Sequence, residues 1–154
     1  MDDQVFTSAV SYRDPRAAVQ WLGEAFGFEV TMAIEGPPES PEMCHYELSC
    51  QGRGRIMLGG KWADWVSSPA DVAGKNTQTV HVQLPDGLDE HCARARAAGA
   101  TISAEPEDQF YGDRTYRAVD PEGHRWTFAA KVRDVTKAEA EGALGQPISA
   151  TNWS

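Results

Sequence analysis

The chain has 154 residues, with 14 Lys and Arg against 23 Asp and Glu, and a net charge of −9. This length is enough for one domain with its own core, and 41% hydrophobic and 24% charged residues are typical of a globular protein rather than a membrane protein. The acidic balance argues against nucleic acids and anionic membranes as partners, because both are bound by clustered basic residues.

The start of the chain and its cysteines indicate the cellular compartment. Residues 1–3, Met-Asp-Asp, have neither the basic region nor the following apolar stretch of a secretory signal. Cys44, Cys50 and Cys92 are an odd count without Cys-x-x-Cys spacing, which favours packed, reduced thiols over disulfides or a zinc site. We therefore predict a cytoplasmic protein.

The first 60 residues predict a strand, a helix and a hairpin. Residues 5–12 alternate as a strand, and Asp14 is placed to cap the helix that follows. That helix is predicted over Pro15–Phe26, with Pro15 in its first turn and Gly27 ending it. Three more strands are predicted in this unit. One begins at residue 28, and the other two run over 43–50 and 55–59.

The same order repeats in the second half of the chain. Residues 79–84 alternate as a strand, Asp86 or Asp89 is placed to cap a helix running to about residue 98, and Gly99 ends it. His91 is predicted on this helix, where Asp89, Arg94 and Arg96 make a solvated surface, and is interpreted as a structural residue. A strand and a second hairpin follow, with an Asp-Pro-Glu-Gly turn at 120–123. Two β-α-β-β-β units predict an α+β fold in which a curved mixed sheet surrounds a concave cavity and the helices cover the convex side.

We interpret residues 1–154 as a single domain with two modules. The first module spans about 4–60 and the second about 77–131, with an irregular crossover over 61–76. In the C-terminal part, 132–154, Thr136 and Glu139 fit a capping box that opens a short helix through about residue 144. The tail after it has no core-forming pattern, so we expect it to fray or to pack on a partner subunit.

Three segments carry a resemblance to a known family. They are the Tyr-Gly-Asp-Arg run at 111–114, the turn at 120–123 with the aromatic strand after it, and the Ala-Gly-Ala-Thr-Ile helix exit at 98–102. Together with the paired modules they resemble the glyoxalase/bleomycin-resistance/extradiol-dioxygenase (vicinal oxygen chelate) superfamily over about residues 5–130. A ferredoxin-like domain is the alternative, but it would have consecutive β-α-β units without a long hairpin after each helix.

The resemblance implies four metal ligands on strands of the concave face. Carried over by spacing, these positions fall on Thr7 and Met57 in the first module and on Thr79 and Thr127 in the second. None of them is a His, Glu or Asp, and catalytic metal ions need such donors. The sequence therefore predicts no metal site of the family type and no cofactor.

His81 leaves a second possibility open. It lies two residues after Thr79, so strand alternation keeps both on one face, and His45 with Glu47 is expected to point to the same side. These three residues either form a displaced metal site resembling a facial triad, or line a wet cavity and hydrogen-bond to one another. His81 is also the candidate general base of an enzyme, oriented by Glu47 or His45.

Aromatic residues suggest what the cavity binds. Trp62 and Trp65 lie on the crossover, where we expect the cavity mouth, and Tyr111 lies on the loop before the last hairpin, whereas Trp126 should alternate towards the helix. The resemblance to the bleomycin-resistance branch implies a metal-independent, antibiotic-resistance type of protein that sequesters a planar or cationic small molecule in a groove of a homodimer. The alternative is a glyoxalase-like lyase or isomerase, or a dioxygenase, with a displaced metal or His81 as base.

Overall fold

The computed structural model describes residues 4–154, so residues 1–3, which contribute to the localisation prediction, lie outside it. Both β-α-β-β-β units predicted from the sequence are present. The first contains β1 (Ser8–Ser11), α1 (Pro15–Phe26), β2 (Phe28–Ile34), β3 (His45–Cys50) and β4 (Arg53–Gly59). The second contains β5 (Val80–Leu84), α2 (Leu88–Ala97), β6 (Thr101–Asp108), β7 (Asp113–Val119) and β8 (Arg125–Lys131), and α3 (Lys137–Leu144) follows.

Each unit forms a four-stranded mixed sheet with the same strand order. The orders are β1-β4-β3-β2 and β5-β8-β7-β6, and in each sheet the first pair is parallel and the others are antiparallel. The strand register also repeats. Ala9 lies opposite Met57 in the first sheet, and at the corresponding positions of the second sheet His81 lies opposite Thr127. The predicted α+β class is confirmed. We call the face of each sheet that points away from the helices its outer face.

The first helix forms where its capping residues predict it. The Asp14 carboxylate accepts a hydrogen bond from the Ala17 N–H at 3.0 Å, and Pro15 occupies the first turn, where its missing N–H is not needed. Gly27 ends the helix in the left-handed conformation, with φ of 71°. Leu22 and Phe26 face the core from α1. Both predicted ends of this helix are confirmed.

The second helix begins differently from the prediction. Its N-cap is Gly87, with φ of 69° and no side-chain hydrogen bond to the helix, so neither Asp86 nor Asp89 caps it. Asp89 lies inside the first turn, where a carboxylate favours the helix dipole, and it accepts a hydrogen bond from Arg114 at 3.1 Å. The cap prediction was wrong because glycine reverses the chain here without needing a side chain.

His91 has the structural role expected of it, but its predicted position on a solvated surface was wrong, because the ring is partly buried. Its Nε2 donates to the Phe26 carbonyl at 2.9 Å, and its Nδ1 accepts from the Tyr116 hydroxyl at 2.6 Å, so the imidazole joins α2 to the end of α1. Burial lowers the pKa of His91, and the nearby Arg94 lowers it further. Arg94 donates to the carbonyls of Gly23 and Glu24 at the C-terminal end of α1, which favours a cation.

The helix sides of both sheets share one hydrophobic core. The ring of Phe26 from the first unit lies 5.6 Å from Trp126 and 4.7 Å from Phe128, both on β8. Phe28 of β2 contacts Trp126 at 5.5 Å between ring centroids. Trp126 is only 1% exposed, which confirms that it alternates towards the helices. Aromatic burial of this extent makes the two units one cooperative body.

A buried carboxylate in the second hairpin also joins the units. Asp120 is 5% exposed and accepts four hydrogen bonds. Tyr12 and Trp126 donate to Oδ2 at 2.6 and 3.1 Å, and the N–H groups of Glu122 and His124 donate to Oδ1 at 3.1 and 3.0 Å. Burial and the Asp120 charge raise the pKa of Tyr12 well above its ordinary value. The turn that resembles the family motif is therefore a structural link between the units.

The C-terminal helix begins as predicted, and the tail folds back on its own chain. Thr136 and Glu139 form both hydrogen bonds of a capping box, at 2.8 and 3.2 Å. In the tail, the Trp153 indole donates to the Val135 carbonyl at 2.8 Å, and Ser154 accepts from the Lys137 N–H at 2.9 Å. The tail therefore packs on its own chain rather than fraying. Among residues 4–154, no helix has the length and apolar character needed to cross a membrane.

Candidate ligand-binding site

The outer face of the second sheet carries a row of polar side chains. His81 of β5 lies opposite Thr127 of β8, and Thr127 lies opposite Arg117 of β7. Thr79 immediately precedes β5, and alternation places it on the same side as His81. Neighbouring strands are about 5 Å apart, so an imidazole, a hydroxyl and a guanidinium stand side by side. This row is the chemically richest part of the outer face.

The larger cavity lies between the edge strands β1 and β5. Its volume is about 450 Å³, within the range of small-molecule pockets. Thr79, His81 and Gln83 contribute its polar wall on β5, and Ser8 faces it from β1. The apolar lining consists of Phe6, Phe28, Leu48, Ile56, Val80, Val82 and Trp126. Gln4, Ser49, Arg53 and Arg55 add further polar groups to the lining, so the cavity combines an apolar surface with several hydrogen-bonding side chains, which suits an organic ligand.

A smaller cavity lies against the outer face of the second sheet. Its volume is about 330 Å³, and Thr79 and Trp126 line both cavities, so the two adjoin. The other lining residues are Ser103, Arg117, Arg125 and Thr127. Three hydroxyl groups and two guanidinium groups therefore face a space with few apolar neighbours.

Polar side chains on the first sheet are connected to one another. Arg55 donates to the Thr7 hydroxyl at 3.3 Å and lies 3.7 Å from the Glu47 carboxylate. Glu47 is also 3.4 Å from Nε2 of His45. Thr7, Met57, His45 and Glu47 line neither of the two cavities. His45 and Glu47 therefore pair with each other as the second expectation had it, but they line neither cavity and His81 does not join them.

The residues present do not fit the metal that the fold family implies. At the four mapped positions, Thr7, Thr79 and Thr127 offer neutral hydroxyls and Met57 a thioether, and the Thr7 oxygen already accepts from Arg55. Within residues 4–154, no three His, Cys, Asp or Glu side chains come together as a metal-binding group. His45, Glu47 and His81 therefore do not form the alternative triad within this chain.

The loop aromatics form pairs away from both cavities. Trp62 and Trp65 pack edge to face with centroids 4.7 Å apart, and Phe110 and Tyr111 do the same at 5.2 Å. All four are exposed, and none lines either cavity. In the single chain they lie outside the pocket that we expected them to border.

Arg117 and Arg125 were not predicted from the sequence as site residues. Both project from the last hairpin onto the outer face, because Arg117 lies opposite Thr127 and Arg125 lies opposite Val119. The signal was present in the strand alternation, since Arg125, Thr127 and Arg117 share a face once the hairpin register is known.

Comparison with known proteins identifies the family. The sequence profile of the Glyoxalase/Bleomycin resistance protein/Dioxygenase superfamily matches residues 5–128. An uncharacterized protein of Mycobacterium tuberculosis is 36% identical over 138 residues, covering 85% of this chain and 76% of that protein. The chain therefore belongs to this superfamily, as its hairpin and repeat predicted.

Solved structures show the same architecture. TioX from Micromonospora sp. ML1 is 30% identical, with a TM-score of 0.63 over 84% of this chain and 99% of that protein. FosX from Listeria monocytogenes, described as a genomically encoded fosfomycin resistance protein, has a TM-score of 0.59 over 91% of this chain and 99% of its own. At 16% identity, the likeness to FosX concerns the fold alone.

Proposed function

We propose that this protein binds a small organic molecule, without a metal ion, in the cavity between β1 and β5. The observation that carries the proposal is a mostly apolar cavity of about 450 Å³ in a fold whose four usual metal positions hold three Thr and one Met. A planar ligand that buries about 200 Å² of apolar surface there gains on the order of 5 kcal/mol before the costs of association. Phe6, which lines this cavity and is 87% exposed, provides an aromatic surface for such a ligand.

An enzyme that uses His81 as general base is the second candidate. His81 lines the larger cavity, so its ring is accessible to a ligand. However, His45 and Glu47, which were expected to orient it, pair with each other at 3.4 Å, and His81 has no hydrogen-bonding partner among residues 4–154. A base without an orienting partner loses much of its catalytic advantage, so we favour binding.

We also propose that the protein acts as a homodimer. Val30, Met32 and Ile34 lie on β2, the edge strand of the first sheet, and all three are exposed. An edge strand with exposed apolar side chains is a surface that a second copy can cover. Phe6 at the larger cavity is 87% exposed, so a second copy could also close the ligand site.

A binding screen with a matched pair of variants tests the proposed function. Thermal shift and tryptophan fluorescence would be measured with planar aromatic acids, amides and amines, with and without EDTA. Ser8→Phe places a ring in the larger cavity, whereas Ala9→Phe places one on the opposite face of the same strand. We expect a hit at 100 times its Kd to stabilise the protein by about 2.7 kcal/mol, regardless of EDTA.

Ser8→Phe should abolish this stabilisation, while Ala9→Phe should retain it. Binding that disappears with EDTA and returns with Zn²⁺, Mn²⁺ or Fe²⁺ would contradict metal independence. Equal binding by Ser8→Phe and the unchanged protein would contradict the location. Light scattering of the same samples should give the mass of a dimer, and a monomer would contradict the assembly.

A further inference from the structure

Two arginines stand next to each other on the outer face of the second sheet. Arg117 on β7 lies opposite Thr127, and Arg125 on β8 lies opposite Val119, so the two are diagonal neighbours on one face. Diagonal positions in an antiparallel pair are about 7–8 Å apart, within reach of long side chains. Both side chains line the smaller cavity, which has a volume of about 330 Å³.

Neither guanidinium has a partner in the described part of the chain. Arg117 and Arg125 form no hydrogen bond and no ion pair with residues 4–154. By contrast, Arg114 on the other face of β7 pairs with Asp89 at 3.1 Å and Asp108 at 2.9 Å. Acidic residues outnumber basic ones by 23 to 14, so carboxylates are not scarce. Two adjacent cations without a counter-charge repel each other, unless an anion binds between them.

The rest of the cavity wall matches an anion. Thr79, Ser103 and Thr127 contribute hydroxyl groups that can donate hydrogen bonds, and no acidic side chain lines the cavity. A guanidinium presents its N–H groups in a planar fork that binds a carboxylate or phosphate with two parallel hydrogen bonds. The cavity therefore combines the charge, the donors and the space that an acidic group requires.

We infer that Arg117 and Arg125 form a subsite for the anionic group of the ligand, a carboxylate or a phosphate-type group. Because the two cavities adjoin at Thr79 and Trp126, the acidic group occupies the smaller one and the apolar body extends into the larger one. This assignment rests on the proposed function for the position of the apolar body. It replaces the expectation of a cationic ligand, although the protein is acidic overall.

Nuclear magnetic resonance of the ¹⁵N-labelled full chain tests the subsite directly. The probes are phenylphosphonate, benzoate and the neutral benzamide, which share a phenyl ring and differ in charge. We expect phenylphosphonate or benzoate to shift the Nε–H signals of Arg117 and Arg125 and to bind at least tenfold more tightly than benzamide. Equal affinity for the charged and neutral probes would overturn the subsite.

A charge-matched pair of double variants separates a local subsite from the general field. Arg117→Gln/Arg125→Gln should weaken binding of the anionic probe at least tenfold and leave benzamide unchanged. Lys61→Gln/Lys75→Gln removes the same charge at exposed positions outside both cavities and should change the affinity less than twofold. Equal weakening by both double variants would overturn the subsite. If the first double variant does not fold, Arg125→Gln is compared with Lys61→Gln, which removes the same single charge.

The Ser8→Phe variant distinguishes failure of this inference from failure of the proposed function. If Ser8→Phe abolishes binding of phenylphosphonate and the arginine variants do not, the larger cavity binds the ligand and the anionic subsite is wrong. If the arginine variants weaken binding and Ser8→Phe does not, the subsite is correct and the apolar body lies elsewhere.

Discussion

The two sheets have the same topology, but the charged groups on their outer faces are paired differently. On the first sheet, Arg55 lies 3.3 Å from the Thr7 hydroxyl and 3.7 Å from Glu47, which in turn contacts His45. On the outer face of the second sheet, Arg117 and Arg125 have no such partners among residues 4–154, whereas Lys131 at the end of β8 pairs with Asp134. Arg55 lines the larger cavity but is already engaged by Thr7 and Glu47, whereas Arg117 and Arg125 face the smaller cavity without partners.

This difference shows where recognition of a ligand is favourable. A ligand that approaches a satisfied polar group must replace an existing hydrogen bond, and the net gain is small. An unpartnered guanidinium facing a cavity can form charge-assisted hydrogen bonds without breaking any within the protein. The internal repeat therefore provides two similar scaffolds, and the second is the one equipped for an anionic ligand.

Both outer faces depend on a scaffold that the two units share. We expect substitution of Asp120 to destabilise that scaffold most. Asp120→Ala leaves the Tyr12 hydroxyl, the Trp126 indole and two backbone N–H groups without their acceptor. We expect the free energy of unfolding to fall by about 3–5 kcal/mol, measured by urea denaturation. Asp86→Ala, at an exposed position that caps no helix, should change it by less than about 0.5 kcal/mol.

Asp120→Asn tests whether the charge or the shape of the Asp120 side chain is responsible for its stabilising effect. The amide oxygen can still accept from the backbone N–H groups. The amide nitrogen would face the Trp126 indole as a donor facing a donor, whereas the Tyr12 hydroxyl can turn to accept from it. We therefore expect Asp120→Asn to be destabilising, although less than Asp120→Ala. An Asp120→Ala protein that unfolds like the unchanged one would mean that the shared core alone holds the units together.

Much of this scaffold could be predicted from local sequence patterns. Helix ends are predictable because a capping residue contacts only the adjacent turn, as Asp14, Gly27 and the Thr136–Glu139 capping box do here. The second helix shows the limit, because Gly87 rather than an acidic residue begins it. Periodicity alone does not distinguish a backbone reversal from a side-chain cap.

The candidate site was only partly predictable, because it depends on contacts between distant segments. Alternation placed Thr79 and His81 on one face, and both line a cavity. Nothing local indicates that Glu47 pairs with Arg55, that Arg117 lacks a partner, or that His91 reaches the Phe26 carbonyl. Those facts follow from strand register and from the packing of one unit against the other.

On the helix side, where both units are buried together, His91 makes the stability of the shared core depend on pH. Burial lowers its pKa from the ordinary 6.5 in the folded protein, so the unfolded chain binds a proton first as the pH falls. The stability that neutral His91 contributes is complete above its pKa in the unfolded chain. It is lost as the pH falls from there towards the lower pKa of the folded protein. We expect a loss of about 1 kcal/mol between pH 7.5 and 5.5 from this residue.

The measurement is urea denaturation at several pH values for the unchanged protein and for His91→Gln. The glutamine does not titrate, so the variant should be less stable at pH 7.5 but show a flatter dependence on pH down to 5.5. If both proteins lose stability in parallel over this range, titration of His91 is not the cause and the acid sensitivity belongs to other groups.

The smallest expected effect is the most direct test of the difference between the outer faces. Arg55→Gln removes the cation from the satisfied chain of the first sheet, and we expect a loss of about 0.5 kcal/mol, because partly exposed ion pairs contribute little. Arg117→Gln removes one of two adjacent, unpartnered cations on the second sheet. Relief of their repulsion should leave stability unchanged or raise it by up to about 0.5 kcal/mol without added anion.

Both variants would be compared by urea denaturation in the same low-salt buffer, where surface charges act most strongly. With phenylphosphonate added, the unchanged protein should become more stable than Arg117→Gln, because it gains more free energy of unfolding from the bound anion. A loss of stability in Arg117→Gln without anion, equal to that in Arg55→Gln, would mean that Arg117 has a stabilising partner. In that case the two faces are alike, and the preference for the second sheet as the ligand site is wrong.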